Sequence, residues 1–193
     1  MAKLTSRELR PTENTEQENL WKLFLEGDMN AFRSLYSTHY KMLYNFGKKY
    51  LPPTEVEDCI HDTFLNILHY RNNIGEVKKV KTYLFKSFRN QLLKTKKSKQ
   101  VEFHLTKEIN IDNGDPVENE AILKEVKKLI EQLSPREKEI VYLKYFQNFN
   151  NHEISDLLNI KYQTVRNILA GAIKKLRTLG KDYIHLLFLL IKN

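Results

Sequence analysis

Cysteine is nearly missing from this chain: Cys59 is the only one in 193 residues. No intramolecular disulfide can form, and a reducing, cytoplasmic setting is expected. Glycine and proline are scarce, at six and five, so few points interrupt the long amphipathic stretches, and an all-α protein is expected. No apolar run approaches the roughly 20 residues that span a bilayer. The longest, Tyr183 to Ile191 (YIHLLFLLI), is too short, and the N-terminus MAKLTSRELRPTENTEQ has no apolar signal core, so no membrane insertion is expected. Gly-rich phosphate loops, dinucleotide fingerprints and nucleophile elbows are all missing. His152-Glu153 lacks the second histidine of a zinc protease, and Asp112 to Asp115 lacks the later glutamate of a calcium loop. The expectation is a protein with no enzyme activity, no metal and no cofactor.

What the chain has is positive charge, +8 net with a pI near 9.4. Such a surplus suits a polyanionic partner, although a lysine-rich surface also serves solubility. The charge is unevenly placed. Between Lys78 and Lys99 there is no acidic residue, while Lys78, Lys79, Lys81, Lys86, Arg89 and Lys94 are basic. With Tyr83, Phe85 and Phe88 interleaved, this helix suits a nucleic-acid backbone plus base stacking. Phe88 reads as core. The preceding helix, from Thr54 to about Arg71, starts on a capping box of Thr54 with Glu57. It puts Val56, Cys59, Ile60, Thr63, Phe64, Ile67 and Leu68 on one face and Glu57, Asp58, His61, Asp62 and Asn66 on the other. The acidic face is either a partner surface or plain solvation with a first turn matched to the helix dipole.

Ser134 to Arg177 reads as three short helices. Ser134, Pro135 and Glu137 form a start signal, Asn150 or Asn151 caps the next helix, and Asn159 to Tyr162 form a tight turn. Ile154, Leu157, Ile160 and Val165 would bury the corner. Tyr162, Gln163, Thr164, Arg166 and Asn167 then open the second helix as exposed groups able to read base edges, with Lys174, Lys175 and Arg177 placed for phosphates. This is the helix-turn-helix pattern, to be weighed against a buried helical hairpin with a solvated face. Residues 100–116 lose periodicity and mark the domain boundary, giving expected domains at 16–99 and 117–180 and an apolar tail at 181–193.

Two blocks in this order resemble the extracytoplasmic-function (group 4) sigma factors of bacterial RNA polymerase, in the sigma-70 family. GDMNAFRSLY, VEDCIHDTFLNI and KTYLFKSFRNQLL look like sigma domain two; LSPREKEIVYLKYF, NHEISDLLNI and YQTVRNILAGAIKKLR look like sigma domain four. The resemblance implies a cytoplasmic partner of core RNA polymerase and promoter DNA. Asp58, His61, Asp62 and Phe64 would meet the polymerase. Asn72, Asn73, Lys78, Lys79, Tyr83, Lys86, Arg89 and Asn90 would capture and open the minus-ten element. The residues from Tyr162 to Arg177 named above would read the minus-thirty-five element. An anti-sigma factor is a further partner the resemblance allows. The alternative function is a stand-alone helix-turn-helix regulator that binds DNA unaided; a weaker one is a helical adaptor.

Overall fold

Asp28 shows how local chemistry sets the first turns. Its Oδ1 accepts from the backbone N–H of Asn30 at 2.7 Å and of Ala31 at 3.2 Å, capping the second helix. The first helix ends one residue earlier at Gly27, whose φ of +107° is open to glycine and strained for other residues. The computed structural model describes residues 13–97 and 128–179. The expected linker over 100–116, most of the helix expected from Val117, and the tail Tyr183 to Ile191 lie outside the described residues.

Every regular element among the described residues is helical, in two regions. The first holds α1 (Glu13–Glu26), α2 (Met29–Gly47), α3 (Pro53–His69), a 3-10 turn (Arg71–Asn73) and α4 (Val80–Lys97). The second holds α5 (Pro135–Val141), a π-helical turn (Tyr142–Phe146), α6 (Asn151–Leu158) and α7 (Tyr162–Leu179). One expected start signal does not form. Pro52, not Thr54, is the N-cap of α3, with no side-chain cap. Pro53 takes the first helical position, where its preset φ and missing N–H cost nothing, so the helix begins before Thr54.

Aromatic rings fill the first region. Phe24, Phe46, Phe85 and Phe88 are almost completely buried, and burying each such side chain contributes about 1.5–3 kcal/mol. Phe46 sits at the centre, 4.6 Å from the Phe85 ring and 5.2 Å from Tyr50 between centroids. Helix α2 reaches α3 and α4 closely because residue 47 is glycine. A Cβ there would stand 2.5 Å from Val56 Cγ1 and 3.0 Å from the Phe88 ring.

In the second region the expected capping box at Ser134 is present, with Ser134 N–H donating to Glu137 at 2.8 Å. Asn150 and Glu153 form another. The π-helical turn had no counterpart in the periodicity. It stacks Tyr142 on Phe146 at 5.5 Å and delivers the chain to Asn148, whose φ is 56°. From there Phe149 turns inward and meets Phe85 of the first region at 5.0 Å, while Tyr142 lies 6.0 Å from Phe46. The two regions are in contact through these rings.

Candidate polymerase and nucleic-acid interfaces

Helix α3 turns its apolar residues onto the aromatic interior, which leaves Glu57, Asp58, His61, Asp62 and Asn66 exposed. Asp62 accepts a hydrogen bond from Gln91 Nε2 of α4 at 3.1 Å, fixing one edge of this face. Phe64 differs from the expectation. It is 3% exposed, edge-on to Tyr36 at 4.8 Å and to Phe32 at 5.9 Å. The ring falls on the buried side of α3 with Ile60 and Ile67, so it orients the acidic face and presents no surface for a partner. Leu65, 48% exposed, is the apolar group that does lie on the open side.

The turn after α3 and the start of α4 form a groove of about 850 Å³, lined by Tyr70, Asn73, Lys78, Lys79, Tyr83 and Lys86 on one wall and His152, Glu153 and Asp156 of α6 on the other. Asn72, Asn73, Lys78, Lys86 and Asn90 are exposed. Tyr83 is half-buried, its ring edge-on to Trp21 at 5.3 Å, and burial pushes its phenol up. Part of that ring is therefore spent on packing. Tyr70 was not singled out by sequence reasoning, although it is 56% exposed at the mouth of the groove. The signal was present: an aromatic two positions past Leu68, the last apolar residue of α3, and two before a pair of asparagines.

Two of the basic residues are already engaged. Lys79 pairs with Glu153 at 2.8 Å, and Arg89 Nε donates to Glu139 Oε1 at 2.8 Å. Glu139 is only 4% exposed. Its Oε1 also accepts from the Tyr50 hydroxyl at 2.6 Å, and its Oε2 from Arg136 at 2.8 Å. Burial would raise the Glu139 carboxyl; the Arg89 charge and the Arg89 and Tyr50 hydrogen bonds outweigh it, so it lies below the usual carboxylate range. Tyr50 moves the other way, its phenol pushed well up by burial and then by the Glu139 charge. Beside them Lys81 donates to the Gln147 carbonyl at 2.7 Å and lies 4.8 Å from the centre of the Phe149 ring. Tyr50, Glu139 and Gln147 were not picked out from sequence, since each acquires meaning only through a residue far along the chain.

The helix-turn-helix is α6, the turn and α7. Asn159 ends α6 at φ 51° and ψ 51°, and Ser155 Oγ donates to the Ile160 carbonyl at 2.6 Å, closing the corner over Ile154, Leu157 and Val165. Tyr162, Gln163, Thr164, Arg166 and Asn167 are exposed along the first turns of α7. Gln163 Nε2 donates to Asn167 Oδ1 at 3.0 Å, one turn away, and Tyr162 stacks on His152 at 4.3 Å. Lys174, Lys175 and Arg177 are exposed farther along, with Lys175 paired to Glu137 at 2.9 Å. Among the described residues, no group of three or more His, Cys, Asp or Glu is placed to hold a metal, and no helix is long and apolar enough to cross a membrane.

Comparison with known proteins matches both regions. Residues 35–101 match the family described as sigma-70 region 2, and residues 123–176 that described as sigma-70, region 4. The chain is 22% identical over 179 residues to the RNA polymerase sigma factor NccH of Alcaligenes xylosoxydans xylosoxydans, covering 87% of this chain and 96% of that protein. Among solved structures it shares the fold of CnrH in complex with the cytosolic domain of CnrY, with a TM-score of 0.61, 18% identity, and 86% and 97% of the two chains covered. It is also similar to the sigma factor RpoE bound to the anti-sigma factor NepR from Bartonella quintana, with a TM-score of 0.50, 18% identity, and 83% and 98% covered. With the two sigma-70 regions matched in order over more than half of its length, the chain belongs to the sigma-70 family, as an extracytoplasmic-function (group 4) sigma factor that directs transcription initiation with RNA polymerase.

Proposed function

We propose that three surfaces divide this work. The acidic face of α3, through Asp58, His61 and Asp62, docks on a basic helical surface of core RNA polymerase. The groove from Asn72 to Asn90 takes the displaced strand of the minus-ten element. Asn72, Asn73 and Asn90 offer amide groups to base edges, Tyr83 offers its remaining ring face, and Lys78, Lys79, Lys86 and Arg89 meet phosphates. Freeing a base costs a few kcal/mol, and stacking returns about 1–3 kcal/mol per base. The first turns of α7 enter the major groove at the minus-thirty-five element. There Gln163, Arg166 and Asn167 face base edges, Tyr162 and Thr164 flank them, and Lys174, Lys175 and Arg177 approach the backbone. The chain needs no cofactor for this, and initiation chemistry stays with the polymerase.

The observation that carries the reading is the exposed row Gln163, Arg166 and Asn167 on a helix held by a capped helix-turn-helix corner, in a chain whose other region offers an open acidic face. An anti-sigma factor is a fitting cytoplasmic partner, since RpoE, which is similar in fold, is solved with the anti-sigma factor NepR. In vitro transcription with sigma-free core polymerase on a genomic promoter library tests the reading. New start sites that depend on this chain are expected; a footprint by the chain alone, with no transcripts, would mark an independent regulator instead.

A further inference from the structure

Tyr70 is the most exposed large apolar side chain among the described residues, and none of the three surfaces above uses it. Its backbone is nevertheless firmly held. The Tyr70 N–H donates to the Asn66 carbonyl at 2.9 Å, closing α3, and the Tyr70 carbonyl accepts from the Asn73 N–H at 2.8 Å, opening the 3-10 turn. An open ring on a fixed backbone is what a stacking platform for bases requires. Two cavities share this ring. The groove of about 850 Å³ lies on one side. On the other, a smaller cleft of about 360 Å³ opens between α3 and α4, lined by Asn66, Asn90, Gln91 and Lys94 together with Tyr70 and Tyr83. The two tyrosines stand where groove and cleft meet, and Asn90 belongs to the cleft, whereas Asn73 belongs to the groove.

From this geometry we infer that Tyr70 is a second base-stacking ring: the displaced strand crosses the ridge of Tyr70 and Tyr83 into the cleft, and an unpaired nucleobase lies on Tyr70. The inference rests on the reading that the groove takes the minus-ten strand. A strand that meets Asn73 in the groove and Asn90 in the cleft has to pass both rings. Cations mark the way. Lys86 of the groove and Lys94 of the cleft are both exposed on α4, about 12 Å apart at 1.5 Å per residue. The cleft itself is rich in amides, which suits a base edge. Gln91 is tied through its Nε2 to Asp62 at 3.1 Å, which leaves its carbonyl oxygen as an acceptor, while Asn66 and Asn90 carry donors and acceptors both. Tyr83 is half-buried and bound at its hydroxyl to Ser87, so Tyr70 offers the larger free ring. Every base has a π-face, so the contact tolerates any base and is lost only when the base is removed.

Holoenzyme reconstituted from the full chain and sigma-free core polymerase tests this on a promoter recovered from the genomic library. The minus-ten segment is premelted, and bases of its displaced strand are replaced by abasic sites one position at a time. The wild type is expected to lose about tenfold in affinity at each of two positions. Tyr83→Ala should become indifferent to one of them and Tyr70→Ala to the other. Tyr70→Phe, which keeps the ring, should behave as wild type, and Tyr70→Leu, apolar without a ring, as Tyr70→Ala. Because Tyr70 is exposed, the melting temperature and co-purification with core should stay at wild-type values in all three variants. Loss of co-purification in Tyr70→Ala would place the ring against the polymerase and overturn the inference. So would a Tyr70→Leu variant that keeps both sensitivities, since packing and not stacking would then be at work. If Tyr83→Ala silences its position while Tyr70→Ala silences none, the role of Tyr70 falls alone. If neither variant silences any position, the groove does not take the strand, and the underlying reading falls with it.

Discussion

The first region carries two charged surfaces, and the molecule treats them oppositely. The acidic face of α3 is open to solvent along Asp58, His61 and Asp62. The basic side is partly closed, with Lys79 and Arg89 held by carboxylates of the second region. In this state the face proposed for polymerase docking is open, while part of the side proposed for DNA is already paired. Electrostatics alone would have predicted the reverse, because a chain of charge +8 attracts nucleic acid first. The difference teaches that net charge describes what a protein is drawn to, whereas pairing decides which cations are available.

The largest expected effect comes from destroying the open surface. Asp58→Arg combined with Asp62→Arg should abolish co-purification with core polymerase. Both side chains are exposed and the one hydrogen bond lost, from Gln91 to Asp62, is at the surface, so the unfolding free energy should stay within about 1 kcal/mol of wild type. Unchanged co-purification would remove the docking role of this face. Next in size, Gly47→Ala should destabilise the first region by about 1–3 kcal/mol, because the added methyl would stand 2.5 Å from Val56, closer than packed carbons approach, and tightly against Phe88 at 3.0 Å. Thermal melting checks it. A similar loss, about 1–3 kcal/mol of base discrimination, is expected for Arg166→Ala, confined to the upstream element. An equal loss on all sequences would make Arg166 a phosphate contact.

The closed side responds to pH in a window set by Glu139. Its carboxyl is lowered in the folded chain, so the stability it gives is present above the ordinary carboxylate value near 4.3 and lost as pH falls through the depressed one. Tyr50, raised in the folded chain, contributes below its ordinary value near 10 and loses that contribution only as pH rises through the higher one. Between these limits both groups hold their charge states. Scattering from the free chain should be flat from about pH 5 to 9 and expand in acid. A midpoint near neutrality would point to a histidine instead of this carboxylate.

How much of this was legible in the sequence follows from how far each cause reaches. The box at Ser134 is local, a side chain and an N–H three residues apart, and forms as read; of the two asparagines offered for the next helix Asn150 is the cap, and Glu153 completes a box there that was not read. The box at Thr54 failed for an equally local reason, the proline beside it. Phe64 shared the apolar face of α3 with Ile60 and Ile67, and that periodicity placed it correctly in the core, whereas the resemblance had set it against a partner. The contact between the two regions was not legible. Tyr50 and Glu139 stand 89 positions apart, and nothing near either announces the other. Nor does periodicity reveal a π-helical turn, which widens one turn of an otherwise ordinary apolar helix and thereby aims Phe149 across the boundary.

The smallest expected effect concerns the corner that holds the recognition helix open. Asn159 sits at φ 51° and ψ 51°, where a side chain with a Cβ crowds the following carbonyl. Asparagine tolerates this better than most residues, and glycine escapes it entirely. Asn159→Ala should therefore cost about 1 kcal/mol, while Asn159→Gly should fall within a few tenths of wild type, despite removing more of the side chain. That order, glycine above alanine, is opposite to helix propensity, which would place alanine ahead by about 1 kcal/mol. Denaturant melts of the two variants decide it. If alanine proved the more stable, the corner would have to relax to a right-handed turn, and α7 would no longer present Gln163, Arg166 and Asn167 at the angle seen here.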